Sequence, residues 1–487
     1  MTLSALQADW ANRYARNARI QVIVHTHAYG AVDVTPWVRS AAWGNSMGEG
    51  APSFEITLND ARHTIAGKTI AQQVNVSYVA DPTVLLQWAN ADDPWDLLDT
   101  GDWVEIVVNY GTWKAMNYLG WLDTVASADT SDPLGRRDPT TTIEGEAIDA
   151  ILDMPILMDS RIAGLPAYYN PYSELLSPAF ASGNPGTIAI AAITQAITAC
   201  SAGYPEMPAS LMVRGGPTVL LGATGLGEIS QAVDGFVPEI NARWLAPFER
   251  KTIREFISPY LGVPDWCEMW VECRPEVPGA PESPHIPKVV YRMHPWSRAD
   301  WAALPVTDVG LSSHSLKRGA GGYFNWFFAR PQYLPEGTES EFAFIGESPT
   351  IPIVDLDEVR KFGLHPLEPS LRWIDPLTMG PSSAYLERMQ ARLWEWWGIG
   401  HTYWQGSLTC NGWRPDIRIG QKVRAKPRRT DLTFYVESYN HSVVTDQNGG
   451  IVEGKTELGV SRGQPGDWVD PGIPPQTILA TGQTVEV

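Results

Sequence analysis

The chain of 487 residues is short of cysteine, of long apolar runs and of positive charge, and each shortage removes a class of function. Cys200, Cys267, Cys273 and Cys410 are scattered. Only Cys267 and Cys273 lie near each other, and their five-residue gap suits neither a zinc knuckle nor a redox pair. All four are expected to be buried thiols. The most apolar stretch, Ile188 to Cys200, contains Gln195 and is too short to span a bilayer. Residues Met1 to Ile20 are polar, with Arg13, Arg16 and Arg19, and hold no apolar run of signal-peptide length. The expectation is a soluble chain made in the cytoplasm, without integral membrane contact.

The formal net charge is −19. Residues 401 to 487 hold nine Lys/Arg and nine Asp/Glu, so the first 400 carry the whole excess, 27 against 46. Phosphate contacts dominate duplex affinity, so direct DNA binding is disfavoured. The basic loop Arg424, Lys426, Arg428 and Arg429 reads as a solvated turn between strands.

Enzymatic signatures are equally scarce. No H-E-x-x-H or paired C-x-x-C occurs. Gly222-Ala223-Thr224-Gly225-Leu226-Gly227 reverses the dinucleotide spacing and lacks a P-loop ending, which leaves a strand-to-helix turn. His25 and His27 share one strand face without an obvious third metal ligand, so exposed edge-strand histidines are expected. The pairs Asp355 with Asp357 and Glu144 with Glu146 read as solvated charges. Twenty-one tryptophans suit a carbohydrate-active or cell-wall-binding protein, which stays open as an alternative, and equally suit large permanent interfaces.

What the chain does have is period-two patterning. His401 to Cys410 alternates toward Gly412-Trp413; Pro415 to Val423, Phe434 to His441 and a strand ending Val460-Ser461-Arg462-Gly463 follow. Leu432, Phe434, Val436, Val452, Leu458 and Val460 share one parity, and Glu437, Glu453, Lys455 and Glu457 take the other. Asn448-Gly449 supplies a tight hairpin turn. The same punctuation occurs earlier: Gly101-Asp102-Trp103-Val104 matches Gly420-Gln421-Lys422-Val423, Tyr118 to Val125 stands for Phe434 to His441, and Thr140 to Glu146 for Gly454 to Val460.

The expected fold class is α+β and β-rich, with two similar small antiparallel β-barrels flanking a mixed α/β middle region. The first barrel with its extension takes residues 1–155, the middle 156–380, a connecting helix 381–400, the second barrel 401–463 and a tail 464–487. In the middle, helices are expected at Ile188 to Cys200, Gly227 to Ile240 and Lys251 to Leu261, and strands at Thr218 to Leu221, Cys267 to Cys273, Lys288 to Met293 and Tyr323 to Ala329. Pro381-Ser382-Ser383 caps the clearest helix, whose apolar stripe is Tyr385, Met389, Leu393, Trp396 and Trp397, and Gly398 and Gly400 stop it.

The order of these features resembles the baseplate hub family of bacteriophage tails, related to the N-terminal hub part of secretion-system spike proteins. The residues that carry it are Pro415 to Val423, Phe434 to His441 and Thr456 to Gly463, with Asp33 to Val38 and Ser53 to Asp60 as opening strands. Ser315-Leu316-Lys317-Arg318, Asn325-Trp326-Phe327-Phe328 and Lys361 to Leu367 are further landmarks.

The resemblance implies a structural, non-enzymatic homotrimer without a cofactor or metal, which joins a sixfold tail tube to a threefold spike. Its motif and tube-facing positions would be Gly101, Asp102, Tyr118, Trp121, Asp123, Pro415, Ile417, Gly420, Val423, Phe434, Val436, His441, Leu458 and Arg462. Tail-tube or distal tail proteins, a separate spike protein, other baseplate proteins and the tape measure would be its partners. DNA would pass an acidic channel without specific binding, in a virion assembled in the host cytoplasm.

Overall fold

The computed structural model describes residues 18–27, 30–47, 53–59, 98–109, 114–131, 137–153, 205–212, 264–275, 285–319, 323–331, 352–371, 383–446 and 448–466, residues 252, 254, 255 and 258, and short strands at 476–478 and 484–486. It is β-rich with few helices. The readings at 188–200, 218–221, 222–227 and 227–240 and Cys200 lie outside the described residues, and so does most of 251–261. Among the described residues no helix is long and apolar enough to cross a membrane.

Seven strands form the first unit: β1 (Arg19–Thr26), β2 (Gly30–Asp33), β3 (Val38–Ser46), β4 (Ser53–Asn59), β5 (Trp103–Asn109), β6 (Lys114–Ser131) and β7 (Arg137–Ala147). Their sheet order is β3-β4-β7-β6-β5-β1-β2. Because β2 runs on into β3 through the one-turn helix Thr35–Trp37, one chain segment borders both ends of that order and closes the sheet on itself. Its interior is a single apolar cluster that includes Val22, Val24, Trp37, Ile56, Ile106 and Ile143.

The middle of the chain supplies a hairpin, β8 (Cys267–Pro275) with β9 (His285–Met293), then helix α1 (Arg298–Ala303) and the pair β10 (Val306–Asp308) and β11 (Leu311–Lys317). Short strands β12 (Trp326–Phe327), β13 (Arg330–Pro331), β14 (Ile353–Val354), β15 (Pro366–Leu367) and β16 (Ser370–Leu371) surround helix α2 (Leu356–Phe362). The landmarks around Asn325 and His365 meet here: β12 pairs with β15, and the fully buried Asn325 donates to the Gly363 carbonyl at 2.6 Å. Asp355 is not a free loop charge, since its carboxylate caps α2 by accepting from the Asp357 and Glu358 amides. Asp355→Ala is expected to cost about 1 kcal/mol, read as faster hydrogen exchange at Val359 and Gly363.

Helix α3 (Ser383–Trp397) leads to the second unit, β17 (Trp404–Cys410), β18 (Lys422–Ala425), β19 (Leu432–Thr445) and β20 (Ile451–Pro465). Residues 306–317 close this unit: β10 pairs with β18, the chain turns at Val309-Gly310, and β11 pairs with β17. Its core gathers Ile417, Val423, Phe434, Val436 and Leu458 with Trp270 and Val290 from the β8–β9 hairpin. The α3 stripe differs by one position from the expected one. Trp394 and Trp396 are buried, while Trp397 is half-buried and donates to the Asp265 carbonyl.

The two units repeat each other residue by residue. The order β3-β4-β7-β6-β5 matches β11-β17-β20-β19-β18, and β2 lies parallel to β5 as β10 lies parallel to β18, with β1 inserted as an additional strand. Gly101 donates to the Leu122 carbonyl and Leu122 to that of Asp102; Gly420 donates to Val436 and Val436 to Gln421. Trp103 faces Trp121 and Val104 faces Gly120, as Lys422 faces Tyr435 and Val423 faces Phe434.

Two irregularities coincide as well. A bulge at Asp123 between Leu122 and Thr124 matches one at Glu437 between Val436 and Ser438, and a bulge at Arg39 on β3 matches one at Ser312 on β11. Bulges are specific local features, so coincident bulges in one order of strands mark a true duplication.

This register corrects three readings. Phe434 corresponds to Gly120, two places beyond the position that loop spacing suggests, and Val460 to Gly145, one place before Glu146. The Glu437 bulge reverses the inward parity of β19, so Tyr439, His441 and Val443 continue the buried face of Leu432, Phe434 and Val436. Val452, counted with that face, is 71% exposed near the hairpin tip. His25 is not on an edge: β1 lies between β2 and β5, and its buried imidazole bonds to Glu105 and Ser210.

Candidate assembly surface

The positions singled out by motif divide sharply by exposure. Tyr118, Trp121, Pro415, Ile417, Gly420, Val423, Phe434, Val436, His441 and Leu458 are buried, and so are Asp102 and Arg462; Gly101 is half-buried and Asp123 exposed. The structure brings them together as the frame of the two barrels. Gly101 (φ 91°) and Gly420 (φ 74°) occupy equivalent turns that need the left-handed region. Added bulk at Gly420 would strike the Arg292 guanidinium and Trp270. Asp102 accepts from the His27 and Asp99 amides, which fixes the Gly101 turn.

Arg462 holds α3 to β20. Its guanidinium lies 3.6 Å from the Trp396 ring centre and 4.8 Å from that of Tyr403, and it donates to the Trp396 carbonyl. His441 is fully buried between Trp43 and Tyr439, with Nδ1 3.0 Å from the Thr456 hydroxyl. Burial, with Arg418 adding to it, pushes its pKa down to about 3.

His441 also marks the junction of the barrels. The second half of β19 leaves its own unit and pairs antiparallel with β3, from Ser438 opposite Ser46 to Val444 opposite Ser40, which fuses both units into one sheet. The Asn448-Gly449 turn adds a further tie, since Ile20 donates to the Gly449 carbonyl.

Two strands missed as site candidates remain at the rim. From Thr124 on, β6 pairs only with β7 among the described residues, and β11 pairs only with β17. Thr124, Ala126, Ser127 and Ala128 are exposed, as are Ser312 to Ser315, Lys317 and Arg318. Neither stretch has an apolar face, so periodicity gave no signal; unpaired edges are visible only once the sheet order is known.

Among the described residues no group of three His, Cys, Asp or Glu is placed to hold a metal. Cys267, Cys273 and Cys410 are free and buried, and burial pushes the Cys267 and Cys410 thiols up to about 12. Burial also lifts Asp149 to about 7 beside Arg254, and Asp265 to about 6. In the basic loop, Arg424 and Lys426 meet Asp308 and Asp431 at 3.6 and 3.4 Å, in keeping with a solvated turn.

No family model and no curated protein sequence matches the chain. Among solved structures it is similar to the 43 kDa tail protein of prophage MuSo2 from Shewanella oneidensis, at 13% identity over 92% of this chain and 99% of that one, with a TM-score of 0.42. A tail protein from Neisseria meningitidis MC58 gives 12% identity, 93% and 98% coverage and a TM-score of 0.42. The Francisella PdpA-VgrG complex gives 8% identity, 94% and 54% coverage and a TM-score of 0.36. These neighbours are of the kind that the order of sequence landmarks resembles, and the reading that follows rests on the strand registers of this chain.

Proposed function

We propose that the chain is the structural hub of a bacteriophage tail baseplate, a trimeric adaptor between a sixfold tail tube and a threefold central spike around an axial channel. The observation that carries this is the residue-by-residue duplication. Two barrels with a shared strand order and two coincident bulges, held in one sheet, let three chains present six similar faces about one axis. A threefold object then offers a sixfold surface without six chains.

On this reading residues 101–155 and 401–463 form the tube side, with the buried motif positions shaping the barrels and their rims making contact. The 464–487 tail leads toward a separate spike protein, and the tape measure and other baseplate proteins complete the surroundings. The net charge of −19 suits a wall along which DNA passes without adhering. The role needs no catalysis, and the protein would reside in the virion.

Light scattering after size exclusion tests this. The expected mass is three times the 53.7 kDa of the chain. A stable monomer that retains or cleaves glycans would favour the carbohydrate-active alternative.

A further inference from the structure

The internal junction of the barrels specifies how one copy meets the next. Within the chain, the second half of β19 pairs with β3, and the duplication makes β6 the counterpart of β19 and β11 the counterpart of β3. Each chain therefore uses one β19-type edge and one β3-type edge internally, and leaves one of each open among the described residues, on β6 beyond Asp123 and along β11.

We propose that these two edges join neighbouring copies: residues 124–130 of one copy pair antiparallel with residues 313–319 of the next. Transferring the observed register, Ser438 to Ser46 and Val444 to Ser40, sets Thr124 opposite Gly319, Ala128 opposite Ser315 and Thr130 opposite Ser313. The inference rests on the hub reading and adds the strands, direction and register of the contact.

Two further observations favour a second copy as the occupant. Both stretches are free of proline over the paired residues, and Thr124, Ala126, Ser127, Ala128, Ser313 to Ser315, Lys317 and Arg318 are exposed, a form that soluble proteins otherwise blunt. Their charges are also opposite. The β11 rim carries exposed Lys317 and Arg318, and the β6 rim carries exposed Asp123 with Glu144 and Glu146 on the adjoining strand. Because the two edges differ, the contact is head to tail, the kind that closes into a ring. Alternating internal and external junctions then carry one sheet continuously around that ring.

The test is cysteine pairing in the full chain. Ala128→Cys combined with Ser315→Cys places the two thiols directly opposite across the junction, within disulfide reach. Mild oxidation is expected to give covalent dimers and trimers on a non-reducing gel, at least about tenfold more than either single variant. Ala128→Cys with Gly319→Cys, four residues out of register, is expected to give no more than the single variants. A protein that is trimeric by mass yet does not cross-link at Ala128/Ser315 overturns this junction and leaves the ring standing. A monomer overturns both. As a second reading, Lys317→Glu with Arg318→Glu is expected to raise the trimer dissociation constant at least about tenfold at low salt, and an unchanged constant contradicts the charge pairing.

Discussion

Arg292→Met is expected to cost about 3–5 kcal/mol of stability at neutral pH, because it strips the partner from a buried carboxylate. Glu268 and Arg292 on the β8–β9 hairpin are buried and bonded to each other. Arg292 also donates to the Gly420 carbonyl at 2.6 Å and to the Tyr435 hydroxyl at 2.8 Å, and Tyr435 donates to Glu268. Burial, the largest influence, would raise the Glu268 carboxyl; the Arg292 guanidinium, together with His294 and the Tyr435 hydroxyl, outweighs it and holds the group below the ordinary carboxylate range.

Without Arg292 that balance reverses. Burial is then opposed only by His294 and the Tyr435 hydroxyl, and the folded-state pKa of Glu268 is expected to lie above its unfolded value, so the defect is relieved at acid pH and grows as pH rises through the folded pKa. Denaturant titrations should therefore show a smaller loss at pH 4 than at pH 7. Glu268→Leu with Arg292→Met, which removes both charges, should recover much of the loss, since an apolar pair of similar volume can replace a buried ion pair. A single variant as costly at pH 4 as at pH 7 would show that packing, not the buried charge, sets the penalty.

Acid is expected to open the junction between the barrels through His441. Its pKa of about 3 lies below the unfolded value near 6.5, so its contribution is fully present above pH 6.5 and is lost as pH falls toward 3. Each unit in that window removes about 1.4 kcal/mol, up to about 5 kcal/mol in all. His441→Phe keeps an aromatic ring against Trp43 and takes away the proton site, while Thr456 keeps its bond from the Arg414 amide. Stability measured from pH 7 to pH 4 should fall less steeply in the variant, by about 1.4 kcal/mol per unit. Parallel slopes would contradict a neutral buried histidine at this position.

Much of the architecture was legible because local rules produced it. Glycines at 101 and 420 stand where positive φ is required, Asn448-Gly449 turns a hairpin, and the Leu393/Trp396 spacing marks α3. What stayed hidden was non-local or depended on one residue of slippage. The bulges at Asp123 and Glu437 shift parity without any composition signal, so the inward turn of Tyr439 and His441 could not be read from alternation. The pairing of β3 with β19 joins residues about 400 positions apart, and β1 inserts beside β5, which is also distant from it in sequence. Apart from Gly101 and Asp123 the motif residues are buried in the frame, whereas the edges on β6 and β11 are polar strands whose significance comes only from lacking a neighbour among the described residues.

End-on electron-microscopy averages of the purified protein test the duplication-based ring most directly. The expected image is a closed ring with strict threefold symmetry and six similar lobes, alternating between first and second barrels of three chains. Single two-lobed particles, or a ring whose lobes do not number six, would contradict it.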